Sequence, residues 1–336
     1  MSQREAKLAL SRVDEAREDL AARTAEVTSD GFGDRLLAFD PQGAPSWEWL
    51  RLRSDFSAVP GIGAALVRRT ELLAGLEHPA LPSVRVVEDI AERGSILVRT
   101  AYTPGRRLSE LARARSATFA MTVIRDLLHP LAAMQRRGES VSHGSLNLDR
   151  VLVATDGRVV IRDHVLGAAL DRLVLPPSQL WSELGILQPA RRRITPRQLD
   201  VLHVAAIGLA TILGRAIGPE DYPDRVEALI EQHVLFLPLR QWLMAAFDLT
   251  GQGLGSAEAA HEAMTALFPT SLPGEAEIRD SLAVFGRKGT ELRSSATVPL
   301  GFKHLLTDQS GTVFVLARSE PAATRIVDER LRVAPA

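Results

Sequence analysis

The chain has 336 residues, 46% apolar and 24% charged, ordinary values for a globular protein of about two domains. The 40 basic and 41 acidic residues leave a net charge of -1, so the basic footprint of a duplex-binding protein is missing and nucleic acid is set aside as a partner. With no cysteine, disulfides, thiolate zinc sites, iron–sulfur clusters and a cysteine nucleophile drop out together; the eight histidines are scattered, with no pair at the short helical spacing of a metal site.

The opening MSQREAKLAL is too charged for a secretory segment, and the longest nearly apolar stretch, Val201–Leu213, is interrupted by His203 and too short to span a bilayer. A cytoplasmic protein with no membrane span in this chain is expected. Residues 4–27, rich in Ala, Glu, Arg and Leu, place Leu10, Val13, Leu20 and Val27 on a narrow stripe, which predicts an N-terminal helix. After Ser29-Asp30-Gly31, strand-like runs at Arg35–Asp40 and Trp47–Arg53 precede a helix at Ala64–Leu76 and two more strands, Arg85–Ile90 and Ser95–Tyr102. From Leu108 the pattern turns helical, with Phe119, Val123, Leu127, Leu131 and Met134 on one face and Gly138 as the expected stop. Val151–Ala154 and Val159–Arg162 flank the turn signal Thr155-Asp156-Gly157, and a hairpin is expected there. Beyond Pro196 the chain reads as helical to about Leu267, with Val201–Leu213 buried on all sides and Trp181, Trp242, Phe247 and Leu213 in the core. From Pro269 onward, strand-like runs at Thr312–Ala317 and Thr324–Val327 suggest a small β unit or a tail.

The run His143-Gly-Ser-Leu-Asn-Leu-Asp-Arg150, followed by Asp156-Gly-Arg-Val-Val-Ile-Arg-Asp163-His164-Val165, resembles the catalytic-loop and metal-loop segment of the protein kinase family. Glu71 through His78-Pro79 looks like the end of its regulatory helix, and Ser95 through Gly105 like the strand and hinge joining its lobes. Asp200-Val-Leu-His-Val-Ala205, with Gly214-Arg215 after it, looks like its buried central helix. The resemblance covers roughly residues 33–268 and implies an α+β, two-lobed protein kinase-like fold of the bacterial Ser/Thr type. The implied division is an N-terminal helix (1–30), a small β-rich lobe (31–103), a larger mostly α lobe (104–268) and a C-terminal extension (269–336).

The same resemblance implies a degenerate site. Kinase chemistry uses a third-strand lysine on the phosphates, a carboxylate beside the attacking hydroxyl and two oxygen ligands for Mg²⁺. The lysine position falls near Trp49–Arg53, yet the chain's three lysines are Lys7, Lys288 and Lys303; Arg51 or Arg53 is the nearest cation. The helix glutamate falls on Arg69, with Glu71 close by; the loop aspartate falls on Ser145, which has no carboxylate; and the metal-binding asparagine falls on Arg150. Asp163 keeps the second metal position, and Thr100 takes the place that gates the pocket behind the hinge. Gly31-Phe-Gly33 reads as too early and too short for the glycine-rich loop.

His143 is expected to brace the metal loop structurally, Asp163 to pair with Arg150, His164 to be packed, and Arg191-Arg192-Arg193 to be a solvated run. The reading is therefore a pseudokinase without catalytic residues, regulatory or scaffolding, binding an unidentified protein partner. No cofactor is assigned; nucleotide, if bound, would face Arg150 without Mg²⁺. The alternative is an unconventional nucleotide-dependent transferase built around Asp163. A small-molecule kinase, suggested by the His-Gly-x-Leu spelling, needs the aspartate that Ser145 replaces.

Overall fold

A computed structural model describes residues 24–40, 44–89, 95–111, 115–189, 194–249, 251, 253–267, 274, 276–282, 304–307 and 313–316. Two compact units emerge: residues up to Gly63 with Ser83–Tyr102 and the strands beyond Thr290, and Ala64–Pro82 with the chain from Thr103 to Gly289.

The first unit is an antiparallel five-stranded sheet of order β1-β2-β3-β5-β4, made from β1 (Thr24–Asp30), β2 (Gly33–Phe39), β3 (Pro45–Leu52), β4 (Val84–Asp89) and β5 (Ser95–Ala101). Thr24–Val27, expected at the end of the N-terminal helix, instead pair with β2; the hydrogen-bond ladder outweighs the local helical pattern, and the rest of that helix lies outside the described residues. Gly31 and Phe32 form the β1–β2 turn, where the Asp30 carboxylate accepts the Phe32 N–H at 2.8 Å. Gly33 follows with φ 149°, so close to the Arg51 carbonyl that a Cβ would collide with it. The first hairpin of the sheet thus turns where the sequence seemed too early for it, with only two residues in its loop.

Alternation along β3 sorts the sheet into two faces. Leu36, Ala38, Trp47, Trp49 and Leu97 cluster on one face, and Arg99 stacks on Trp47 there at 3.8 Å. Leu50, Leu52, Ile96 and Val98 are buried on the other, which also carries Glu48 opposite Thr100. A short helix α1 (Ser54–Ser57) buries Phe56.

The second unit takes helix α2 (Ile62–Leu73) from Ala64 onward, although the sequence grouped that helix with the sheet. Its centre is α3 (Ala117–Gln135) against α6 (Pro196–Leu213). Ser116 caps α3, its hydroxyl accepting the Phe119 N–H at 3.1 Å, and Thr195 with Gln198 forms a capping box on α6 ahead of Pro196. Residues 200–211 of α6 are all buried, and Gly208 lets Ile124 of α3 approach so closely that a Cβ would collide with it.

The unit also holds a three-stranded sheet of order β6-β7-β8, whose last strand packs on α3: β6 (Gly105–Arg107), β7 (Val151–Ala154) and β8 (Val159–Ile161). The hairpin β7–β8 matches the sequence; β6, two arginines and a glycine without an apolar pattern, does not announce itself. Helices α4 (Gly167–Leu173), α5 (Pro177–Leu184), α7 (Val226–His233), α8 (Leu237–Ala246) and α9 (Ala257–Leu267) complete the unit. Trp242 and Phe247 are buried as expected, but Trp181 and Leu213 are only half-buried. Residues 274 and 276–282 pack on this unit: Ile278 is buried and the Glu277 carboxylate accepts the Ser116 N–H and hydroxyl at the start of α3. In the tail, β9 (His304–Thr307) pairs antiparallel with β10 (Val313–Leu316), while the strand expected at Thr324–Val327 lies outside the described residues.

Candidate functional site

The segment His143–Arg150 is held from below by Asp200, near the start of α6. Its carboxylate accepts the backbone N–H groups of His143 (3.0 Å) and Gly144 (2.9 Å) and the Gln135 side-chain amide (3.0 Å). Full burial pushes the Asp200 carboxyl up to about 6, against these three hydrogen bonds, which favour the charged form. Gln135 also accepts the Ala257 N–H at 2.9 Å, so one side chain ties α3 to α6 and α9.

His143 is fully buried. Its Nε2–H donates to the Arg162 carbonyl at 2.8 Å, which leaves Nδ1 to accept from the Ser145 N–H and hydroxyl, each at 3.3 Å. Burial holds the ring neutral, its pKa lowered to about 3. His143 therefore braces the metal-like loop and is not available as a base. Ser145 is itself fully buried and faces this histidine.

Arg150 is 5% exposed. Its Nη1 donates to the carbonyls of Ser145 and Leu184, both at 3.0 Å, and its Nε lies 3.7 Å from Asp163 Oδ2. Asn147 adds a second clamp, receiving the N–H groups of Asp149 and Arg150 at 3.0 and 3.1 Å and donating to Leu184 and Gly185. The expected ion pair is present, though through Nε and not as a two-pronged fork.

Asp163 sits at φ 59° and is 5% exposed; His164 beside it is buried and stays neutral, lowered to about 4 by burial, with Asp163 opposing and Arg69 reinforcing. Gly167 then passes so near the His143 carbonyl that a Cβ would collide with it.

Arg69 points from α2 to the same loop and donates to the Ser142 carbonyl at 2.5 Å and to Ser140 at 3.2 Å, while Glu71 is exposed. Of the two, Arg69 is the buried side chain. These contacts assign it a bracing role, holding α2 to the loop backbone.

Neither Arg51 nor Arg53 shares the Thr100 face of the sheet as a strand residue. Arg51 lies opposite Leu97, on the face of the sheet away from Thr100, and Arg53 leaves the strand to pair with Asp55 at 2.6 Å over the Phe56 ring. A cation that does share the Thr100 face is Arg35 of β2, opposite Leu50, 4% exposed and bound to Asp30 and Glu48, each at 2.6 Å. The family pattern points to β3 and so away from Arg35; its sequence signal is an arginine at the head of the apolar run Leu36-Leu37-Ala38. Arg191-Arg192-Arg193 lies outside the described residues.

The residues present do not fit a divalent cation. A single carboxylate, Asp163, remains, and a fixed guanidinium stands 3.7 Å from it. Among the described residues no three His, Asp or Glu side chains converge to hold a metal, and no helix is long and apolar enough to cross a membrane.

A β-sheet region followed by a helical region, with a loop hung from a buried aspartate on a central helix, defines a protein kinase-like fold. Solved structures agree. The PknI kinase domain of Mycobacterium tuberculosis superposes with a TM-score of 0.55 at 16% identity, over 72% of this chain and 94% of that one. A second PknI kinase-domain structure gives 0.52 at 16% identity, over 74% and 95%. The structure titled PpkA-294 apo form gives 0.54 at 16% identity, over 72% and 95%. No family model matches the chain, and no curated protein matches its sequence.

Proposed function

We propose that this chain is a pseudokinase: a kinase-like module that has lost phosphoryl transfer and acts by binding other proteins. The observation that carries this reading is Arg150, which the family resemblance puts at the metal-binding asparagine's position and which is buried, bonded to two backbone carbonyls and facing Asp163. A permanent cation fixed there opposes Mg²⁺, and Ser145 supplies no carboxylate for a hydroxyl proton. Losing one such group typically costs about 10²- to 10³-fold in rate, so several together remove most of the acceleration this chemistry needs. The regulatory or scaffolding role draws support from Leu235, Phe236 and Leu237, three consecutive apolar side chains that are 86%, 38% and 56% exposed, the kind of surface that protein contacts use.

Titration calorimetry with ATP, in Mg²⁺ and in chelator, tests the metal part. The expected result is either no heat or an affinity that Mg²⁺ does not raise. Binding that requires Mg²⁺ and vanishes in Asp163→Ala would overturn it and favour the transferase alternative.

A further inference from the structure

Residues 276–282 are helical and dock on the first turn of α3 within the second unit. Gly274 leads into them, so close to the Thr118 carbonyl and the Thr122 hydroxyl that a Cβ would collide with both. Ile278 and Ser281 are buried, and the Ser281 hydroxyl donates to the Ile278 carbonyl at 2.7 Å. The polar end of the contact is Glu277, 161 residues along the chain from Ser116, whose hydroxyl it accepts together with the Ser116 N–H at 3.4 Å.

The Ser116 hydroxyl is fully engaged as a neutral group. It gives its one proton to the Glu277 carboxylate, and its oxygen accepts the Phe119 N–H at 3.1 Å. The Thr118 hydroxyl lies 2.7 Å from the same oxygen, and with the Ser116 proton committed to Glu277 it is Thr118 that donates. Ser116 is nonetheless exposed, with an extended backbone (φ -65°, ψ 158°) ahead of the helix. In sequence it follows Arg113 and Arg115, a basic approach of the kind that kinase–substrate charge patterns use. An accessible hydroxyl, a basic run-up and a carboxylate latch thus meet at one side chain.

We propose that Ser116 is a phosphorylation site, and that its modification by a separate, arginine-directed Ser/Thr kinase releases the helical residues 276–282 from α3. In the modification Ser116 Oγ bonds to the γ phosphorus of ATP, the bond from that phosphorus to ADP breaks, ADP leaves and the hydroxyl proton passes to the kinase. The proposal stands whether or not this chain itself transfers phosphate. The product carries a charge of about -1.5 to -2 and has no hydroxyl proton to give Glu277. It repels the Glu277 carboxylate, while at the head of α3 negative charge is favourable. The helix therefore stays and the segment leaves, taking Ile278 and Ser281 out of burial.

Hydrogen exchange on the full chain tests both halves. Incubation with ATP and the catalytic subunit of cyclic-AMP-dependent protein kinase, an arginine-directed enzyme, should place phosphate on Ser116 in peptide mass spectra. Exchange at residues 276–282 should then quicken by about tenfold or more, while residues 120–135 of α3 keep their rates. Ser116→Asp, which retains a capping carboxylate, should do the same without the kinase. Ser116→Asn, a neutral cap that can still donate to Glu277, should leave exchange as in the unmodified chain, and Glu277→Gln should restore slow exchange to Ser116→Asp. Phosphate on Thr118 with none on Ser116, or on neither, would overturn the proposal. So would unchanged exchange at 276–282 in the phosphorylated chain or in Ser116→Asp, or quickening that spreads through α3.

Discussion

Lowering the pH from 7 to 5 should destabilise this protein sharply, and the magnitude follows from four buried groups. His143, His164 and His203 are held neutral in the folded chain, with pKa values lowered to about 3, 4 and 4. An unfolded histidine protonates near 6.5. The unfolded state therefore binds more protons as pH drops below 6.5, and stability present above that pH is lost. Each histidine contributes a loss of about 2 kcal/mol by pH 5. Asp200 runs the other way: raised to about 6 when folded, it gains a proton first in the native state and offsets about 1 kcal/mol over the same interval. The net loss is about 4–5 kcal/mol, a large share of the 5–15 kcal/mol typical of a folded domain. His78 and His261 are also lowered, chiefly by burial, and push in the same direction. Urea unfolding at pH 7, 6 and 5, followed by tryptophan fluorescence, should show the midpoint falling steadily. A midpoint that stays level or rises between pH 7 and 5 would refute the assignment of neutral, proton-excluding histidines around the loop.

Three substitutions probe the braces. Gly167→Ala drives a methyl into the His143 carbonyl; backbone cannot yield as a flexible side chain does, and a loss of about 1–3 kcal/mol is expected in the same urea assay. Arg69→Met removes both donors to the Ser140 and Ser142 carbonyls and should cost about 2–4 kcal/mol, since charged hydrogen bonds contribute more than neutral ones; hydrogen exchange at residues 140–146 should quicken. Arg150→Asn should lower stability by about 2–3 kcal/mol, through lost bonds to Ser145 and Leu184. The same variant should gain Mg²⁺ binding at Asp163 in calorimetry, because the competing cation is gone.

How much could be read beforehand varied with the kind of interaction involved. The hairpin around Thr155-Asp156-Gly157 and the start of α6 at Pro196 were legible because the signal is local: turn chemistry between β-branched runs, and a proline ahead of a long apolar stretch. The Arg150–Asp163 pairing was legible too, since the family's spacing brings those positions together. Arg51 shows what was not. Alternation says that Arg51 and Leu50 face opposite ways, but only pairing with β5 decides which of them shares the Thr100 face. That parity also hid Arg35. Strand β1 was lost to a helical pattern because an edge strand's stability resides in its partner, β2, and not in its own residues.

The proposed loss of phosphoryl transfer is tested most directly by incubating the full chain with ATP labelled at the γ or the α phosphate, in Mg²⁺ and in Mn²⁺, with protein acceptors present. With Arg150 seated against Asp163 and Ser145 in place of a carboxylate, neither label should move to the chain or to an acceptor. Transfer of either label by the unmodified chain, abolished by Asp163→Ala, would show that the loop still performs chemistry.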